Sequence, residues 1–127
     1  MMYNEKVMEK FAEQKKLGEI RNANAIGYCG DPALGDIIKF YFVIEDGKIA
    51  EAKAKVFGCV AAMAVASQAC QMLEGKTIAE VLEFDISLVN EALGGIPEEK
   101  GDILGTAKQA MVEAINYYFK KLDKESA

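Results

Sequence analysis

Four side chains stand out as candidates for chemistry: Cys29, Cys59, Cys70 and Asp36. The thiolate, not the thiol, binds metals and attacks electrophiles. Three cysteines cannot all pair within one chain, and in a reducing compartment they serve as core fillers, metal ligands or nucleophiles. The chain has no histidine. That excludes Ser–His and Cys–His couples and argues against the usual catalytic zinc sites. General acid–base work would fall to Asp, Glu, Lys, Tyr or Cys, none of which titrates near neutral pH unperturbed. The chain is therefore read as a non-enzyme.

The spacing separates the candidates. Cys59 follows an alternating segment and Gly58 and is expected to open a helix, whose N-terminus favours negative charge. Cys70 lies eleven residues on. One helix would put both thiols on one face but about 16 Å apart along the axis, too far for a shared metal centre. Cys70 is read as a buried small hydrophobe. Cys29 lies seven residues before Asp36, in a Gly- and Pro-containing loop able to fold back. Either residue could be a ligand. Equally, Cys29 could be packing, Cys59 a buried helix-start cysteine, and Asp36 a turn-closing carboxylate.

These residues need elements to hold them. Tyr3 to about Lys16 reads as a helix capped by Asn4 and stopped by Gly18. An Asn- and Gly-rich loop follows through Gly35. Ile37–Ile44 reads as a strand with Ile38, Phe40, Phe42 and Ile44 facing the core, and Asp46-Gly47 as a hairpin turn. Ile49–Phe57 alternates, with Ala50, Ala52, Ala54 and Val56 inward against something bulky and Glu51, Lys53 and Lys55 outward. Cys59–Leu73 reads as a buried helix. Thr77–Leu82 and Ser87–Leu93 read as short helices, capped by Thr77 and by Asp85 or Ser87. Asp102 to about Leu122 reads as a long amphipathic helix with Ile103, Leu104, Ala107, Met111, Ala114, Ile115, Tyr118 and Phe119 on its apolar stripe. A helix, an antiparallel sheet and a run of helices make an α+β layout with helices on one sheet face. Met63, Met72 and Met111 are read as core packing, and Glu98, Glu99, Lys100 and Asp102 as a solvated loop and helix start.

At 127 residues the chain is one domain long, residues 1–127, and its 51% hydrophobic content suffices for a core. The net charge of −5 argues against nucleic acid and against an anionic membrane surface as partners. No apolar run is long enough to span a bilayer and no signal-peptide pattern opens the chain, so a cytoplasmic location is expected.

Five segments resemble, in order and at similar spacing, one known family. Gly30-Asp31-Pro32-Ala33-Leu34-Gly35-Asp36 resembles a G-x-P-x-C-G-D loop. Val56-Phe57-Gly58-Cys59-Val60-Ala61-Ala62 resembles an [FY]-G-C-x-A turn into a helix. Gly75-Lys76-Thr77, Glu91–Pro97 and Tyr3–Val7 match further family segments. The family is that of the IscU/NifU iron–sulfur cluster assembly scaffolds. The resemblance implies an α+β fold: a three-stranded antiparallel sheet packed on one face by helices, with an N-terminal helix and a long C-terminal helix. It implies a [2Fe–2S] cluster held on three thiolates with a nearby Asp or His. In that light Cys59 stands at the second cysteine position and Asp36 at the loop aspartate. Leu34 stands at the first cysteine position, and the third falls near Lys100-Gly101-Asp102. Cys29 is then the candidate substitute ligand. Ile96-Pro97-Glu98-Glu99-Lys100 matches poorly the family's Leu-Pro-Pro-Val-Lys chaperone segment. Two functions follow from the resemblance. One is a scaffold that binds iron or a labile [2Fe–2S] cluster weakly or across a subunit interface. The other is a cluster-free paralogue that serves as a binding or regulatory module. The implied partners are a cysteine desulfurase, iron or cluster acceptor proteins, and a second copy of the chain.

Overall fold

The computed structural model describes residues 3–31, 33 and 35–126. Nine elements follow one another: α1 (Glu5–Glu13), β1 (Ala25–Gly30), β2 (Ile37–Glu45), β3 (Lys48–Phe57), α2 (Val60–Leu73), α3 (Ile78–Leu82), α4 (Ser87–Ala92), a 3-10 turn (Glu98–Lys100) and α5 (Asp102–Ser126). The strands form one antiparallel sheet in the order β1-β2-β3. The expected α+β architecture, with its N-terminal and long C-terminal helices, is the observed one. Among the described residues no helix is long and apolar enough to cross a membrane.

The sheet's inner face carries Ile38, Phe40, Phe42 and Ile44, all buried as expected. Phe42 faces Ala52 and Phe40 faces Ala54 across the strands, and the two rings stack at 5.5 Å. These rings are the bulk that the small residues of β3 accommodate. The expected inward set is corrected at one position. Ala50 is exposed and Ile49 is buried, because a bulge between Val43 and Ile44 lets Ile44 face Ile49 directly. A bulge shifts side-chain parity, which strict alternation along the sequence does not reveal.

Two boundaries and one strand also differ from expectation. Helix α1 is shorter than Tyr3–Lys16: the Asn4 carboxamide accepts from the Val7 N–H at the start, and Gln14, in a left-handed conformation, ends it before Gly18. Residues 25–30, expected as loop, form strand β1. Gly27 lies beneath α5, where a Cβ would come within 2.5 Å of the Glu113 carbonyl carbon and 2.7 Å of the Ala110 oxygen. The glycine that lowers strand propensity is the one that lets α5 rest on the strand. Helix α3 starts at its expected cap, whereas α4 has Ile86 at its N-cap, with no side-chain cap bond, in place of Asp85 or Ser87. Thr77 and Glu80 make a reciprocal capping box, and Asp85 accepts from the Ser87 N–H and hydroxyl at 3.0 and 2.7 Å.

Helix α2 is buried along most of its length, and α5 buries Ile103, Ala107, Ala110, Met111, Ala114 and Ile115. Phe119, expected on that stripe, is exposed. The sheet's outer face is not wholly wet. The segment between α1 and β1 runs along the free edge of β3, where Gly18 N–H donates to the Ala54 carbonyl and Ala54 N–H to that of Lys16. It then crosses beneath the sheet, packing Ile20 and Ala23 on Tyr41 and Val43. Glu74 fixes the crossing by accepting from the Lys16 ammonium at 2.7 Å and from the Ala52 N–H at 3.1 Å.

A candidate metal centre at one end of the sheet

The topology gathers the candidate residues at one end of the sheet. In antiparallel order, the end of β1 lies beside the start of β2, which lies beside the end of β3. Gly30 faces Ile37, and Ile37 faces Phe57. Asp31, Ala33, Gly35 and Asp36, between β1 and β2, lie at this end. The Asp31 carboxylate accepts from the Ala33 N–H at 2.9 Å, and the Gly35 N–H donates to the Asp31 carbonyl at 3.1 Å. Pro32 and Leu34 lie outside the described residues, so the expectation that Leu34 occupies a ligand position lies there too.

Cys59 is the N-cap of α2, half-buried, with no side-chain cap bond of its own. Its thiol is therefore not spent on closing the helix. The local anchor comes from Asp36, whose Oδ1 accepts from the Cys59 N–H at 2.8 Å. A backbone N–H at a helix start needs an outside acceptor, and a carboxylate also suits the positive end of the dipole. Gly58 makes the approach possible, since a Cβ there would overlap the Asp36 carboxylate, with 2.7 Å left to Cγ and 2.9 Å to Cβ. Asp36 thus does join Cys59, through the backbone and with one carboxylate oxygen engaged.

Cys29, on β1 opposite buried Ile38, is half-buried and packs against the main core. With Asp31, Asp36, Glu99, Lys100 and Asp102 it lines a cavity of about 570 Å³ at the same end. Cys59 is not among the lining residues. The structure therefore links Cys59 to Asp36, and Asp36 to Cys29, without bringing both thiols to one cavity. Among the described residues, no three Cys, Asp or Glu side chains converge so as to hold a metal ion. Cys70 is fully buried on α2, and burial pushes its thiol far up. The reading of Cys70 as packing agrees with that burial.

Two neighbours of the site escape a reading by residue type. Burial pushes the Tyr3 phenol up, and the adjacent Cys59 thiol adds to the shift by charge and by hydrogen bonding, while Lys100 opposes it. Tyr3 reads as a helix start and Lys100 as a solvated loop residue. Tyr3 comes to Cys59 from ahead of α1, and Lys100 from the chain's return to this end after α4. The Asn4 carboxamide, which donates to the Gly95 carbonyl at 2.9 Å, fastens that return.

The comparisons with known proteins agree on one family. The model of the NifU-like N-terminal domain matches residues 2–125. The iron–sulfur cluster assembly scaffold protein IscU 1 of Archaeoglobus fulgidus is 39% identical over 123 residues, 97% of this chain and 80% of that protein. IscU of Aquifex aeolicus is 35% identical over 121 residues, 94% of this chain and 77% of its own. Among solved structures, a SUF-system iron–sulfur scaffold from Fervidobacterium islandicum superimposes with a TM-score of 0.72 at 19% identity, covering 89% of this chain and 96% of that one. The N-terminal part of a NifU-like protein from Brucella abortus gives 0.73 at 15% identity, covering 93% and 94%. The structural likenesses carry the fold, and the sequence likenesses carry the descent: this chain belongs to the IscU/NifU family, as a NifU-like N-terminal domain.

Proposed function

We propose that the chain acts in the cytoplasm, as a single domain spanning residues 1–127, as a scaffold-like protein of iron–sulfur cluster assembly. Its cargo is iron or a labile [2Fe–2S] cluster, held weakly across the interface of two copies. The observation that carries this reading is the state of Cys59. Its thiol stands half-buried at a helix N-cap, makes no cap bond, and has its backbone fixed by Asp36. Thiolates are the usual ligands of such clusters, and four ligands are the usual number. One chain brings no complete set together among the described residues. A two-fold axis presents the same patch twice, so two Cys59 thiolates can meet. Asp36 keeps one carboxylate oxygen for the metal, and Cys29 stands nearby as a further thiol. A shared, incomplete set favours release, which suits a protein that passes its cargo to acceptor proteins. The sulfur donor in this reading is a cysteine desulfurase.

The test is anaerobic reconstitution of the purified chain with ferrous iron and sulfide. The expected result is visible sulfide-to-iron absorption that disappears in Cys59→Ala. A colourless chain that still binds a desulfurase supports the second reading, a cluster-free binding module, which the lack of a three-ligand group among the described residues favours.

A further inference from the structure

Half of the sheet's outer face is left open by the crossing segment, and the open half adjoins Cys59. Ile20 and Ala23 cover Tyr41 and Val43 but leave Tyr28, Ile37, Lys39, Lys55 and Phe57, which line a shallow groove of about 240 Å³. Tyr28 and Phe57 are each 64% exposed, more than any other large hydrophobic described. Exposed aromatics in one groove mark an interaction site far more often than solitary exposed residues do.

The charges in the groove break a rule of sheet pairing. Lys39 and Lys55 are direct cross-strand partners, and like charges so placed repel. Among the described residues neither finds a close counter-charge: Lys55 reaches Glu19 only at 3.9 Å between exposed side chains, and the Lys39 ammonium lies over the Tyr41 ring at 5.2 Å. Lys53, opposite Tyr41, extends the same basic row. This row sits on a chain of net charge −5. A local conflict only weakly compensated in the free protein is what a bound partner would relieve.

We propose that this groove docks an acidic protein segment carrying an apolar anchor, with the anchor between Tyr28 and Phe57 and carboxylates on Lys39 and Lys55. The occupant follows from charge complementarity. A second copy would set the lysines against themselves, and two or three lysines make a poor phosphate track for nucleic acid. Docking here would place the partner two residues from Cys59. The proposal does not depend on the chain holding a cluster.

Amide NMR titration of the full chain tests it, with the synthetic peptide acetyl-Asp-Glu-Leu-Asp-Phe-Glu-Asp-amide as probe. Its counterpart with every acid replaced by lysine, and a short oligothymidine, serve as controls. The expected result is a set of shifts confined to Tyr28, Ile37, Lys39, Lys55, Phe57 and their neighbours, seen with the acidic peptide alone. Affinity should fall roughly tenfold in Lys39→Glu/Lys55→Glu and with added salt, and persist in Lys39→Arg/Lys55→Arg. Four results overturn the proposal. These are no shift at millimolar peptide, equal response to a control, affinity unchanged in the folded Glu variant, or the same shifts on raising protein concentration without peptide.

Discussion

The contact between Asp36 and the Cys59 amide can be broken from either side, and the two routes must converge. Asp36→Ala removes the acceptor at 2.8 Å. Gly58→Ala leaves the acceptor but puts a methyl group where the carboxylate sits, so the carboxylate must swing away. Hydrogen bonds to charged groups contribute roughly 1.5–3 kcal/mol, and both residues here are half-buried, which argues for the low end. Asp36→Ala should then cost about 1.5 kcal/mol. Gly58→Ala should cost about as much, plus the backbone cost of the new Cβ. In the double variant the methyl group has room, and only that backbone cost adds to the first loss. The cycle should therefore show a coupling of about 1.5 kcal/mol. Urea unfolding of the four proteins at neutral pH, compared by midpoint at constant slope, measures it. Iodoacetamide should also label Cys59 faster in both single variants, since the helix start is loosened. Simple additivity, with coupling below about 0.3 kcal/mol, would show that the carboxylate does not rest on the Cys59 amide.

Other positions give equally direct tests. Gly27→Ala should destabilise by about 3 kcal/mol or more, because the new Cβ meets the backbone of α5, whereas Gly105→Ala meets nothing within 4 Å and should gain roughly 0.5–1 kcal/mol; thermal unfolding reads both signs. Native protein should react with Ellman's reagent at Cys29 and Cys59 but not at Cys70, whose buried thiol is pushed far up, until denaturant is added; mass mapping identifies the sites. The hydrogen bonds from Ser87 hold the Asp85 carboxyl below its ordinary range. Its stabilising effect is thus full above the unfolded carboxylate range and is lost as pH falls through the depressed value. Ser87→Ala should move the Asp85 titration, followed by carboxyl carbon NMR, back upward.

The elements that depend on one short periodicity were legible in the sequence. Strand β2, helices α2 to α5 and the Thr77 cap came from residue spacing, because their inner faces are buried by neighbours that respect that spacing. What depends on a distant contact was not. Strand β1 is concealed by Gly27 and Gly30, and its glycines make sense only beneath α5 and against the turn at Asp36 and Ile37. That the sheet has three strands was expected from the family resemblance rather than from the residues of β1. The bulge at Ala50 changes parity without any special residue. Asn24 marks the place, pairing both carboxamide atoms with the Ile44 backbone at 2.7 and 2.9 Å, but an Asn before a strand is not diagnostic. At the site, the motif spacing singled out Cys59 and Asp36, and the fold sets them together. It could not show that the link runs through the amide, or that Tyr3 and Lys100 arrive from the two ends of the chain. The open aromatic groove was hidden for the same reason: Tyr28, Ile37 and Phe57 lie on three strands and share a surface only after pairing.

The proposed function has cargo shared between two copies through Cys59. Native mass spectrometry of the anaerobically reconstituted chain addresses it most directly. Sharing through Cys59 predicts a dimer carrying two irons and two sulfides, absent in Cys59→Ala and retained in Cys70→Ala. A monomer carrying the same cluster, or a Cys59→Ala dimer that keeps it, would rule out sharing through Cys59.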